Sequence, residues 1–75
     1  MQQISHHWNG RWGRLARQDI RVFRSDDGQR WWVDHMRGGV EGRTTRFDDL
    51  DERRARQLAD ELMSEQGNGW RELSR

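Results

Sequence analysis

The chain has no cysteine, no proline, no tyrosine and, among its fourteen basic residues, no lysine. Without thiols it can form neither a disulfide framework nor a thiolate metal site, and it has no cysteine nucleophile. No apolar run approaches the roughly 18 residues of a membrane span. The N-terminal MQQISHHWNG lacks the apolar core of a signal peptide, so the cytoplasm is the expected location. At 75 residues the chain allows one domain. A domain of this size buries only about 60% of its unfolded surface, which leaves little room for an enclosed catalytic pocket.

What is present is unusual for so polar a chain. Hydrophobic residues make up 31% and charged residues 36%, a balance that borders on disorder, yet there are five tryptophans and two phenylalanines. Each buried indole removes roughly 150–250 Å² from water, so a few rings can stand in for missing aliphatics. A folded but marginal domain follows, with stability of roughly 4–11 kcal/mol. Arginine used to the exclusion of lysine, with isoleucine and asparagine scarce, fits the codon bias of a high-G+C bacterial or phage gene. The net charge of +1 is unevenly spread. Residues 1–46 hold nine arginines against five acids, and residues 47–75 hold five against eight.

No repeat or linker divides the sequence. Residues 1–16 read as a turn-rich, Trp-containing segment, marked by Gly10 and Gly13 and carrying Trp8, Trp12 and Leu15. From about residue 17 the pattern has period two, and residues 18–47 read as three antiparallel strands. QDIRVFR (Gln18 to Arg24) is the first, RWWVDHMR (Arg30 to Arg37) the second and RTTRF (Arg43 to Phe47) the third. Asp27-Gly28 is a strong hairpin signal, because a tight turn needs positive φ. A two-residue loop there makes paired positions sum to 55, and a four-residue loop keeps the same parity. Val22 then faces Val33 and Arg24 faces Trp31 on one side, while Arg21 faces Asp34 and Phe23 faces Trp32 on the other. A glycine-rich connection, Gly38 to Gly42, joins the second and third strands.

Residues 50–66 read as a helix. Asp49 with Glu52 gives a capping-box-like start, and Ala55, Leu58, Ala59, Leu62 and Met63 form one apolar stripe. Residues 67–75 form a tail whose Trp70 and Leu73 can fold back. The expected fold is α+β, a three-stranded antiparallel meander packed against one C-terminal helix (β-β-β-α). The helix stripe must cover Ile20, Val22, Trp31 and Val33, with Phe47 beside them. Because strand side chains alternate, Trp32 is then left on the other face with Phe23 and Met36. Either the N-terminal segment lays Trp8 or Trp12 over it, or a partner covers it.

Chemistry is sparse. His6, His7 and His35 lack metal-ligand spacing, and His35 reads as a hydrogen-bonded core-edge residue. Asp48, Asp49, Asp51 and Glu52 read as helix capping. No nucleophile, acid–base pair or phosphate-loop signature stands out, so no enzyme activity, cofactor, metal or small-molecule substrate is expected. The mixture of arginine and aromatic residues points instead to a binding face of Arg21, Phe23, Arg30, Trp32 and Met36, used for a protein partner or a homodimer. The alternative is nucleic acid on the same Arg/Trp face, with Arg37, Arg43 and Arg46 as phosphate contacts.

The residues HWNGRWGRLARQDIRVF, RWWVDHMRGGVEGR and GWREL, which cover most of the chain, resemble small uncharacterised proteins of high-G+C bacteria. These pair an N-terminal Trp-Gly-Arg with a Trp-rich strand, a Gly-Gly-x-x-Gly-Arg connection and a closing Trp-Arg-Glu-Leu. The tripeptide Trp12-Gly13-Arg14 also bears a local resemblance to the WGR domain, a nucleic-acid-associated module, which implies a nucleic-acid role as an expectation.

Overall fold

The computed structural model describes residues 1–13, 16–38, 42–65, 67 and 69–73. Along the chain lie β1 (Gln2–Trp8), β2 (Gln18–Arg24), β3 (Trp31–Arg37), β4 (Arg43–Leu50), α1 (Glu52–Glu65) and β5 (Arg71–Glu72). The strands form one antiparallel sheet in the order β4-β3-β2-β1-β5, so the expected α+β class holds with five strands in place of three. The segment expected to be turn-rich supplies β1, which pairs with β2, and the tail supplies β5. β1 escapes a period-two reading because its register shifts between Gln3 and Ser5. An extra residue there breaks the alternation.

The central hairpin has the expected register, with Ile20 opposite His35, Val22 opposite Val33, Phe23 opposite Trp32 and Arg24 opposite Trp31. Its loop is the four-residue form. The Ser25 N–H donates to the Arg30 carbonyl at 2.9 Å, and the Gly28 N–H donates to the Ser25 carbonyl at 2.9 Å. Gly28 takes φ +76°, where a side chain would be strained. Asp27 Oδ1 accepts from Ser25 Oγ at 2.6 Å and from the Gln29 N–H at 3.0 Å, which pins the turn.

On one face Ile20, Val22, Trp31 and Val33 meet Ala55 and Ala59 of α1, whose small side chains let the helix approach closely. Ile4, Leu50, Leu58, Leu62, Met63 and Trp70 close the periphery. Trp31 therefore points inward, and the Arg56 guanidinium lies 5.6 Å from its ring centre. Leu50 takes the place opposite Trp31, whereas Phe47 sits one pair further along, opposite Val33. Trp70 does fold back onto the core, while Leu73 stays exposed. His35, buried on the helix side, has Nε2 2.8 Å from Gln18 Oε1.

The helix starts at Glu52, two residues later than its sequence pattern suggests, and Asp51 rather than Asp49 is its cap. Asp51 Oδ1 accepts the Arg54 N–H at 2.8 Å, and its carbonyl accepts the Ala55 N–H at 2.9 Å. Asp49 instead takes φ +59°, a left-handed conformation that aspartate tolerates better than most residues. The register shifts here as well: Val33 faces Phe47 but Trp31 faces Leu50, so Asp48 and Asp49 both lie opposite Trp32. The two aspartates thus have different expected responses. Asp51→Ala costs about 1 kcal/mol in urea denaturation through loss of the cap, whereas Asp49→Gly leaves stability unchanged or raises it by relieving positive φ. Equal losses at both positions would contradict this division of roles.

Candidate functional site

The face away from α1 carries no second layer among the described residues. Register places its side chains in three rows across the sheet. The first contains Arg71, Trp8, Asp19, Met36 and Thr44; the second His6, Arg21, Asp34 and Arg46; the third Gln3, Phe23 and Trp32. Aromatic groups occupy the two ends and charges the middle.

At the hairpin end Phe23 and Trp32 stack with centroids 5.7 Å apart and planes 18° from parallel. The Arg46 guanidinium lies 5.7 Å from the Trp32 ring centre. Arg46 is itself held by Asp34 through Nε to Oδ1 at 2.8 Å and Nη2 to Oδ2 at 2.9 Å. Arg21 faces Asp34 as expected, but the Asp34 carboxylate pairs with Arg46, and Arg21 Nε is buried without a partner. Phe23 is only 8% exposed, so it supports the site from beneath, while Trp32 is half-buried. Beside it opens a shallow hollow of about 270 Å³ lined by Arg30, Trp31, Trp32, Arg46, Asp48 and Asp49. The register shift at Asp48 and Asp49 falls at the rim of this hollow, and such irregularities commonly re-aim side chains beside binding sites.

At the other end Trp8 is buried between Arg17 and Arg71, whose guanidiniums lie 5.3 Å and 6.0 Å from its ring centre. Trp12 packs edge-on against Trp8 with centroids 4.7 Å apart, yet is 76% exposed. Neither ring covers Trp32, because Trp8 lies opposite Asp19, four positions along β2 from Phe23. The segment that carries Trp12 is tied down by buried Asn9, whose Nδ2 donates to the Ala16 carbonyl at 2.8 Å and whose Oδ1 accepts from the Gln18 N–H at 3.1 Å. The Trp8 Nε1–H donates to the Arg11 carbonyl at 2.9 Å.

Of the residues expected on the binding face, Arg21, Phe23, Trp32 and Met36 share it, and exposed Arg30 borders its hollow. The alternative phosphate contacts do not form one set. Arg46 is on this face, whereas Arg37 and Arg43 lie opposite each other on the helix side. The residues that sequence reasoning missed are Asp34 as the anchor of Arg46, Asp48 and Asp49 as hollow lining, and Trp12 as an exposed ring. Only the Asp48–Asp49 pair carried a signal, an acidic run interrupting a strand pattern. Among the described residues no group of three or more histidines or acids is placed to hold a metal. No helix of the described residues is long and apolar enough to cross a membrane. Comparison with protein-family models, with curated proteins and with solved structures finds no match.

The electrostatics of the two sides of the sheet, Asp19 on this face and His35 on the helix side, predict the response of the fold to acid. Burial raises the pKa of the Asp19 carboxyl, but the hydrogen bonds and charges of Arg17 and His6 outweigh it and hold the group below the ordinary value. Arg17 Nε and Nη2 donate to Asp19 at 2.9 and 3.1 Å, and His6 Nε2 lies 2.6 Å from Oδ2. Asp19 therefore stabilises the fold above its unfolded pKa of about 3.9, and this contribution is lost as pH falls through the lower folded value. His35 is lowered by burial first and by the charge of Arg37 second, with Glu65 opposing. The unfolded chain then takes up this proton first, at about pH 6.5, so stability is full above that pH and declines below it toward the folded value. The expected outcome is a decline in the urea midpoint in two steps, one starting near pH 6.5 and one below about pH 4. His35→Gln removes the upper step, and a flat profile between neutrality and pH 5 would refute its assignment to His35.

Proposed function

We propose that the chain is a noncatalytic cytoplasmic association module that takes a protein partner on the Arg/aromatic sheet face, with Trp32 at the centre and Arg30, Arg46 and Arg21 around it. One observation carries this reading: Trp32 lies half-open beside a hollow on a face that, among the described residues, neither a second layer nor Trp8 and Trp12 cover. Tryptophan and arginine dominate the energetics of protein interfaces. The Phe23 stack and the Asp34 clamp hold Trp32 and Arg46 in place, so little ordering is left for binding to impose. The hollow is open and mixed in charge, with Arg30 and Arg46 facing Asp48 and Asp49, which suits a polar peptide surface better than an apolar small molecule.

A photo-crosslinking residue at Gln29, on the exposed loop beside Arg30, should trap a defined partner in cells. Arg30→Glu, at an exposed side chain, should weaken that association about tenfold or more with thermal stability unchanged. Trp32→Ala should weaken it by about thirtyfold, corresponding to about 2 kcal/mol. Adducts that persist unchanged in both variants would remove the sheet face as the site.

Nucleic acid is the second reading, and exposed Trp12 is the observation in its favour, since an open indole packed on Trp8, whose ring Arg17 and Arg71 flank, can stack a base. It predicts affinity that falls by about 0.7–0.9 log units per contacted phosphate for each tenfold rise in salt. A gel shift without retardation at low salt would end it.

A further inference from the structure

The two edges of the sheet are treated differently. On the β1 side, β5 pairs His7 with Glu72 and Trp8 with Arg71, and the Leu73 N–H donates to the His6 carbonyl at 2.7 Å. That edge is closed over its end. On the other side β4 is the last strand, eight residues long, with residues 43–46 exposed and no strand outside it among the described residues. A bare edge of this length is a template for another strand, and proteins usually blunt it. Here proline is absent from the whole chain, and the only irregularity lies at Asp48–Asp49, near one end.

The edge carries its charges in order: Arg43 and Arg46 precede Phe47, and Asp48, Asp49 and Asp51 follow it. Two identical antiparallel strands in one sheet are related by a twofold axis normal to that sheet, so each register is defined by the residue that meets its own copy. Centring on Arg46 or on Asp48 sets like charges against each other, and centring on Thr45 makes no charge pair. Centring on Phe47 sets each Arg46 against the partner's Asp48, on the face both side chains share, and brings the basic half of each strand alongside the acidic half of the other. Phe47 meets the partner's Phe47 on the helix side, where it is only half-buried although opposite fully buried Val33.

We propose that β4 is a self-association edge, pairing antiparallel with β4 of a second copy about a twofold axis at Phe47. The positive φ of Asp49 ends the regular ladder, so pairing is short and the dimer is weak and reversible. A twofold contact uses the same β4 edge on both copies, so this pairing closes at two. The edge adjoins the Trp32 face and shares Arg46 and Asp48 with it, but the pairing is made by the β4 backbone and Phe47 and does not need the Trp32 ring.

Sedimentation of the whole chain over a wide concentration range should show a monomer–dimer equilibrium that weakens as salt is raised. Asp48→Arg, which opposes Arg46 of the partner subunit with a like charge, should weaken it about tenfold or more. Because the chain has no cysteine, single substitutions report on register independently of that variant. Under mild oxidation Phe47→Cys should give disulfide-linked dimer far faster than Thr45→Cys, Asp48→Cys or the outer-helix control Arg53→Cys, because only self-opposed positions bring the two Cα atoms within disulfide range. A monomer at every concentration, or cross-linking no faster at Phe47→Cys than at Arg53→Cys, overturns the proposal. So does a dimer that is indifferent to Asp48→Arg and lost in Arg30→Glu, which would lie on the Trp32 face.

Discussion

The pairing of β2 with β3 fixes where everything else can go. Once Val22 lies opposite Val33, the pleat sends Ile20, Trp31 and His35 to the same side and Phe23, Trp32 and Asp34 to the other. The helix then has only one face on which its narrow stripe finds apolar partners, and Ala55 and Ala59 bring it close. A slip of β3 by one residue would bury Asp34 under the helix and turn Trp31 and Val33 out to water, so the register is strongly specified. Trp31 and Val33 are two of the six buried core residues, so that slip would remove the core's largest ring and one of its fully buried side chains.

The same constraint explains why the far face is neither a second core nor an ordinary solvated surface. Two carboxylates, Asp19 and Asp34, are almost fully buried there without a covering layer, at 2% and 7% exposure. Arginine side chains do the covering. Arg17 and Arg46 lay their guanidiniums across the carboxylates and beside the indoles of Trp8 and Trp32, so each serves at once as ion-pair partner and as lid on a ring. Lysine could not do both, because a point-like ammonium offers neither a bidentate fork nor a flat surface. The absence of lysine from the chain therefore has a structural use on this face, whatever codon bias contributed to it.

How much of this was legible in the sequence depends on where alternation survives. In β2 and β3 the period of two is unbroken, and their register, the inward turn of Trp31 and the partners of Ile20, Val22 and Phe23 could all be read from residue order. In β1 the extra residue between Gln3 and Ser5 disguises the strand, and β5 is too short to have a period. At the end of β4 the irregularity at Asp48–Asp49 moved the helix cap from Asp49 to Asp51 and put Leu50, not Phe47, against Trp31. Ion-pair partners were less legible still. Residue order places Arg21 and Arg46 on either side of Asp34, and nothing in it says which guanidinium will close on the carboxylate.

The strand that hides in the sequence is also the one that changes the reading of the surface. Had the N-terminal residues folded across the far face, Trp8 or Trp12 could have sealed Trp32 and left the molecule self-contained. As β1, those residues extend the sheet sideways instead, and Asn9 then holds the following turn so that Trp12 stacks on Trp8 at the remote end. The sheet gains width, and so more area for the helix side to rest on, but the far face lengthens without gaining a cover. A 75-residue chain that spends its N-terminus on width rather than on a second layer leaves an aromatic and arginine surface whose rings are fixed by their neighbours but open on one side. Its buried carboxylates are paired within it, and no described residue folds over Trp32.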